Sequence, residues 1–260
     1  MDELTQEIES MDYLKAIPFI INLHEYHISP TRQKLWMVFE YCKYKSIRDI
    51  ITQGYTLPEE MVSYVLQSVL QSLSYLHKMN VIHLHIRASN ILIDENGNVK
   101  LDHLALDSSK HHYVAKGSHW MSPEEVKSSQ ITDKTDVWKV GITAFEMLRG
   151  VPPHYELHPL RAILLVGKGP LNLQGLEQFS TDCQTFVKAC LQHNYEQRPS
   201  VIALLQHPWI NFTKSLKMEN QFHSILEDAY NVNSVLYLSY ETLGLPKTLL
   251  QTPRRIIILR

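Results

Sequence analysis

Residues 136–150, DVWKVGITAFEMLRG, constrain the fold of this chain more than any other segment. Apolar side chains lie almost all the way round a helical wheel drawn for them, so no face of such a helix suits water. Other elements must therefore cover it on every side. The segment predicts a mainly helical body built around one buried helix.

Three further segments predict helices that pack around it. Residues 58–77, PEEMVSYVLQSVLQSLSYLH, begin with a proline that suits a first helical turn and two glutamates that suit the positive end of the helix dipole. The segments TDCQTFVKACLQ and SVIALLQHPWI have the apolar spacing of two more helices.

The N-terminal part of the chain predicts a smaller mixed piece. Leu4, Ile8, Met11 and Leu14 fit one face of a helix. FIINLHEY and KLWMVFEYC are typical of strands, and SPTRQ between them is typical of a turn. Further on, NILID and NVKLD flank an Asn-Gly turn and predict a hairpin.

Composition excludes several classes of function. Lys plus Arg is 25 against 27 for Asp plus Glu, a formal net charge of −2, which argues against a nucleic-acid partner. No apolar run reaches transmembrane length, and the acidic first residues do not resemble a signal peptide, so no membrane partner is expected. Three scattered cysteines favour a reducing, cytoplasmic location. No H-E-x-x-H or C-x-x-C spacing occurs among the histidines and cysteines, so no metal site is predicted.

Three short motifs follow one another in a familiar order. They are HLHIRASN at residues 83–90, DHLA at 102–105 and SPE at 122–124. Protein kinases carry H-R-D-L-x-x-x-N, then D-F-G, then A-P-E. Farther along, WMSPEEV, DKTDVWKVGITAFEMLRGVPP, HPLRAI and EQRPSVIALLQHPWI are similar to the sterile-twenty kinases, especially their germinal-centre branch. The resemblance to the protein-kinase fold covers residues 4 to about 210.

The resemblance implies an α+β, kinase-like fold. Residues 1–42 would form a truncated small N-lobe with helix C and about two strands, and residues 43–210 a mainly helical C-lobe. Residues 211–260 would be a C-terminal extension of unknown role. The family's glycine-rich loop and lysine-bearing strand precede helix C, and no V-A-I-K or glycine-rich signature occurs in this sequence. We therefore expect the first N-lobe strands to be missing.

Two carboxylates that kinase chemistry needs are replaced. Kinases use one Asp to accept the proton of the substrate hydroxyl and another to hold magnesium. Counting from Asn90 places His85 at the first position and His103 at the second. Asp102 lies one residue earlier and would point to the opposite face of its strand, unless the hairpin is one residue shorter than counted. The resemblance therefore predicts no catalytic residue, with His85 and His103 as degenerate positions.

Two residues of the family's site remain. Asn90 matches the family's magnesium-binding Asn, although it equally suits a turn cap. Glu7 lies about where the helix C Glu belongs, although it is equally a solvated charge on a helix face. His85 is a competent base near neutral pH, but a loop histidine filling the space of the lost Asp is favoured.

The residues that support the fold in this family are kept. His83 matches a histidine packed in the core, and Asp136 matches the acid that holds the backbone of the catalytic loop. Glu124 and Arg198 match a buried ion pair, and removing either partner would leave an uncompensated charge. A scaffold kept and a chemistry lost is the pattern of a pseudokinase.

Phospho-regulation of the family's usual kind is not expected. The segment before SPE is short and carries Ser108, Ser109 and Ser118. A phosphate there would need an arginine partner, and the family's usual arginine position holds Leu84.

The sequence thus predicts a catalytically inactive kinase-like protein that acts as a protein-binding scaffold or allosteric regulator, with a protein partner, possibly a kinase, and no cofactor. The alternative is an active serine/threonine protein kinase that uses ATP and magnesium at an atypical site. A third interpretation is an incomplete gene product.

The partner is predicted to bind the N-terminal piece. Without the earlier strands, residues 35–42 would expose an unpaired strand edge and an apolar face, with Met37 and Phe39 in contact with the partner. The opposing possibility is that Phe39 fills the vacant nucleotide pocket and residues 253–260 cover this face.

Overall fold

The computed structural model describes residues 17, 19–29, 34–102, 117–127, 131–211, 216–233 and 255–259. The helices are α1 Ile47–Thr52, α2 Glu59–Lys78, α3 Pro123–Val126, α4 Asp133–Arg149, α5 Pro159–Lys168, α6 Thr181–Cys190, α7 Val201–Leu205 and α8 Leu216–Asn233. The strands are β1 Leu23–Ser29, β2 Lys34–Phe39, β3 Ile91–Ile93, β4 Val99–Leu101 and β5 Arg255–Leu259. Single 3₁₀ turns lie at Ala88–Asn90, Ser118–Trp120, Leu176–Gln178 and Tyr195–Gln197.

Helix α4 is buried on all sides, which confirms the prediction made from residues 136–150. A capping box between Thr132 and Thr135 begins it, and Gly150 in the left-handed conformation, with φ of 82°, ends it. Every residue from 135 to 148 is buried. A Cβ at Gly141 would lie 2.7 Å from Cβ of Cys190, so the close approach of α6 to α4 requires glycine there.

Helix α2 lies beside α4 and shares its core. Pro58 occupies the N-cap position, with Glu59 and Glu60 in the first turn. The predicted C-terminal helix around 200–210 is shorter than its sequence pattern indicated. Helix α7 spans only five residues, and the chain then turns so that Trp209 and Ile210 are buried in the core of the body.

The β3–β4 hairpin has the predicted Asn-Gly turn. Gly97 adopts a φ of 79°, and Asp94 accepts hydrogen bonds from the backbone N–H groups of Asn96 and Asn98, at 2.9 and 2.8 Å. The hairpin lies between the N-terminal sheet and the helical body. Leu92 packs against the sheet, whereas Ile91 and Ile93 pack into the body.

The predicted open edge of β2 is wrong. Strand β5 pairs with β2 in antiparallel register from Leu35↔Leu259 to Phe39↔Arg255, giving a three-stranded sheet in the order β1–β2–β5. Met37 and Phe39 are each 1% exposed, packed in a small cluster with Ile21, Leu23, Cys42 and Leu92. The physical reason is that the chain's own apolar run satisfies the backbone groups of β2. These two side chains therefore do not form an exposed partner surface.

The segment after residue 211 contributes both β5 and α8 to the structure. Helix α8 buries Phe222, Leu226 and Ala229 against the body, and the ring of Phe222 meets Tyr64 edge-on with centroids 6.1 Å apart. On its exposed side Glu227 pairs with Lys43 at 2.9 Å. Helix α8 is thus part of the same core as the helical body.

Two further predictions concern membrane spans and the helix expected near the N-terminus. Among the described residues, none of the helices combines the length and the apolar character that crossing a membrane requires. The predicted helix at residues 4–14, which contains Glu7, lies outside the described residues.

The burial of α8 leads to a stability prediction. Leu226 is 0% exposed, so Leu226→Ala should lower the free energy of unfolding by about 2–5 kcal/mol through lost apolar contacts and a residual cavity. Denaturant unfolding followed by circular dichroism measures this. Asp228→Ala, on the exposed side of the same helix, is the control and should change stability by less than about 0.5 kcal/mol. Equal small effects would mean that α8 is not packed in solution.

Candidate functional site

The loop at residues 81–90 is held by one buried carboxylate from α4. Asp136 accepts the backbone N–H of His83 at its Oδ2 and that of Leu84 at its Oδ1, both at 2.8 Å. Oδ2 also lies 2.9 Å from Nε2 of His77 on α2. Leu84 has a φ of 64°, a left-handed conformation costly for a leucine, and its bond to Asp136 offsets that cost.

Asp136 is ionised despite complete burial. Burial pushes its pKa upward, but the hydrogen bond with His77 and the nearby rings of His77 and His83 hold the pKa below its usual range. A charged acceptor makes stronger hydrogen bonds than a neutral one, so the loop backbone is fixed by charge-assisted contacts.

His83 and Asn90 close the loop from within. The ring Nδ1 of His83, which is buried, accepts the N–H of His85 at 3.2 Å. Asn90 donates from Nδ2 to the carbonyl of His85 at 2.8 Å, and its Oδ1 accepts from Ser89 at 3.3 Å. Both polar atoms of the Asn90 side chain therefore have roles within the loop, as the turn-cap interpretation of this residue requires.

His85 itself stands at the centre of this arrangement. Its N–H and its carbonyl are both tied by neighbours in the loop, and its side chain is half-buried. The backbone of His85 is thus held from both sides. His103 and its neighbours Leu104 and Ala105 lie outside the described residues, as do Ser108 and Ser109.

Asp102 lies opposite Asn90. The hairpin pairs Ile91 with Leu101, and one step further the N–H of Asp102 donates to the carbonyl of Asn90 at 2.8 Å. The Asp102 side chain is only 3% exposed. Asp102 and Asn90 therefore lie opposite each other just beyond the end of the hairpin strands.

A second buried acid of α4, Glu146, supports the other half of the loop. Its Oε2 accepts the N–H of Ala88 at 3.0 Å and the indole N–H of Trp120 at 3.2 Å. Arg48 on α1 approaches its Oε1 to 3.6 Å. Burial raises the pKa of Glu146 to about 7, although these donors and Arg87 oppose the shift. Glu146 therefore changes charge near neutral pH.

The predicted buried pair of Glu124 and Arg198 is bidentate. The two guanidinium NH groups lie 2.7 and 2.8 Å from the two carboxylate oxygens. Arg198 also donates to the carbonyls of Gln192 and Lys134, at 2.8 Å each, and its guanidinium stacks 4.9 Å above the ring of Trp138. Burial raises the pKa of Glu124, but Arg198 outweighs that effect and holds it below its usual value.

Sequence reasoning missed three supporting residues. Glu146 contacts the loop directly, His77 contacts Asp136, and Lys139 forms a second buried ion pair with Glu125 at 2.8 Å. The signal for Glu146 and Lys139 was present, because each is a charged residue in an otherwise apolar helix. Ser118, one of the three serines in the segment before SPE, is 1% exposed.

Among the described residues, no group of three or more His, Cys, Asp or Glu side chains is arranged to hold a metal ion.

The family comparison covers most of the chain. A family model described as protein kinase domain matches residues 1–210.

Glu146 leads to a prediction about pH. Its pKa is about 7 in the folded protein against 4.5 for an ordinary glutamate, so the folded state binds the proton more tightly. The resulting stabilisation is fully present below pH 4.5 and is lost as pH rises through 7, by about 3 kcal/mol in total. Unfolding free energies of the wild type minus those of Glu146→Gln should fall by that amount from pH 4.5 to 8. A difference that stays flat or rises would contradict the raised pKa.

The buried pair leads to a second prediction. Arg198→Ala leaves Glu124 as a buried, uncompensated charge and should lower the free energy of unfolding by about 3–5 kcal/mol. Chemical denaturation at pH 7 is the measurement. Its exposed neighbour provides the control, since Gln197→Ala should change little. Similar small effects from both substitutions would show that the pair contributes nothing in solution.

Proposed function

Since that model matches most of its length, the chain belongs to the protein kinase domain family, and we propose that within this family it is a catalytically inactive member that acts by binding another protein. The similarity of its motifs to those of the sterile-twenty kinases supports membership of their germinal-centre branch. The partner would be a protein, such as an active kinase, that this chain positions or activates in the cytoplasm.

The observation that carries this proposal is the imidazole of His85 inside an intact loop. Asp136, Glu146, His83 and Asn90 hold the loop backbone with hydrogen bonds. Within that loop, the position that would accept the substrate proton holds an imidazole in place of a carboxylate. A kinase needs a negative oxygen there, because the carboxylate orients the hydroxyl and receives its proton. An imidazole supplies neither a negative oxygen nor the geometry of that acceptor.

The magnesium side of the site supports the same conclusion. Magnesium prefers oxygen ligands in octahedral geometry and binds imidazole poorly. By sequence count the metal-binding position is His103. The Oδ1 atom of Asn90 already accepts a hydrogen bond from Ser89, and its Nδ2 holds the carbonyl of His85. We therefore infer that the residues present do not fit a magnesium–nucleotide complex of the family's usual kind.

One observation favours the alternative of an active serine/threonine kinase. Asp102 lies beside Asn90 at the end of the hairpin, so two oxygen-bearing side chains stand where a metal could be held if the side chain of Asp102 turned into the cleft. In that case His85 would serve as the general base, a role compatible with imidazole near neutral pH.

Phosphoryl transfer distinguishes the two. Purified protein of residues 1–260 with ATP and magnesium should transfer no phosphate to itself or to generic substrates above a no-protein background, because the proton acceptor and the metal ligand are both replaced. Thermal unfolding with and without ATP and magnesium should give the same melting temperature, since a ligand bound only by the folded state must raise it.

Two variants make this test decisive. Magnesium-dependent autophosphorylation that is present in the wild type and absent in His85→Ala would overturn the proposal. His85→Asp restores one carboxylate while leaving the loop contacts made by its backbone, so it controls for damage to the loop. The protein-binding function predicts that a partner kinase gains activity on addition of the wild type and of His85→Ala alike.

A further inference from the structure

Strand β5 is attached to the rest of the described structure along one side. It pairs with β2 over five residues and lies at the edge of the sheet. The hydrogen bonds of an edge strand are main-chain bonds to a single neighbour, and the other row of its backbone groups is left to solvent. Its attachment is therefore weaker than that of a strand with two neighbours.

Helix α8 is anchored separately. Leu226 is fully buried in the core of the body, and Tyr230 meets Tyr44 edge-on with ring centroids 6.1 Å apart. Lys43 lies 4.7 Å from the Tyr44 ring centre and 4.8 Å from that of Tyr230, and it pairs with Glu227. These contacts lie just beyond the end of β2 and involve no residue of β5.

The two attachments are separated by 21 residues, 234–254. A chain of that many residues can reach at most about 70 Å, so the covalent connection to α8 does not by itself require β5 to pair with β2. Among the described contacts, β5 is held by its pairing with β2, and α8 is held by its own packing against the body.

We propose that β5 is a displaceable cover of the outer edge of β2, and that this edge is a docking site for an extended, β-branched segment of a protein partner. The seated strand defines what fits. RIIIL runs antiparallel to β2, with β-branched residues at Ile256, Ile257 and Ile258. A partner segment of the same pattern would add a strand in its place, using main-chain hydrogen bonds for affinity. The biological role rests on the proposed protein-binding function, whereas the pairing itself does not.

The direct test uses full-length protein and a fluorescent peptide of residues 252–260. The double variant Ile257→Pro with Ile258→Pro cannot pair its own β5, because successive N–H groups point to opposite sides and proline removes both. Fluorescence anisotropy should show this variant binding the peptide at least tenfold more tightly than the wild type. A matched variant, Leu249→Pro with Leu250→Pro, lies outside β5 and should bind as weakly as the wild type. A peptide with the same two prolines should not bind.

Hydrogen exchange on the wild type provides the second measurement and needs no variant to fold. The amides of Arg255–Leu259 should exchange at least tenfold faster than the central amides of α8, and saturating peptide should accelerate them further. Exchange in β5 as slow as in α4, or equal peptide binding by the wild type and both variants, would overturn the proposal. Neither measurement depends on phosphoryl transfer. Catalytic activity would therefore refute the proposed function but would leave the proposed displacement of β5 unaffected.

Discussion

The carboxylate of Asp136 is the contact on which the arrangement of the loop depends. It accepts two successive backbone N–H groups, from His83 and Leu84, and stands next to the ring of His77. Without it those N–H groups would be buried without acceptors, at about 1–3 kcal/mol each, and the left-handed Leu84 would have nothing to hold it. Because Asp136 belongs to the buried helix α4, the position of the loop follows directly from the packing of the helical core.

This dependence explains how the loop keeps its backbone arrangement with a histidine at residue 85. The loop is positioned by α4 through Asp136, Thr143 and Glu146, which reach its backbone at residues 83, 84, 86 and 88. None of these contacts uses the side chain of His85. A substitution at residue 85 therefore leaves these four contacts in place.

Much of the body could be predicted from the sequence, because its signals are local. An apolar helix must be covered, as α4 is, and an Asn-Gly turn between apolar runs makes a hairpin, as β3–β4 does. The pair of Glu124 and Arg198 came from the family pattern. The covering of β2 could not be predicted with the same certainty. Pairing between residues 35–39 and 255–259 depends on main-chain groups that every sequence has, so apolar runs alone left a choice between an open edge and a covered one.

Other parts of the site were beyond sequence reasoning for a different reason. Glu146 was readable as a charge in an apolar helix, but its raised pKa depends on how many donors reach it in the folded core, and these come from α1, the loop and the Ser118–Trp120 turn. Such a balance exists only once the elements have packed. The sequence identifies which residues can carry a charge, whereas the packing determines the pKa of each one and therefore its charge near neutral pH.

The β2–β5 pairing also has a consequence for biosynthesis. Strand β2 is made more than 200 residues before the strand that covers its edge. At about 5–20 residues per second, the ribosome leaves that edge open for roughly 10–40 s, far longer than a hairpin needs to form. During that interval the backbone groups of β2 that pair with β5 have no partner from that strand. The outer edge of β2 at residues 35–39 is therefore completed only after residues 255–259 have been made.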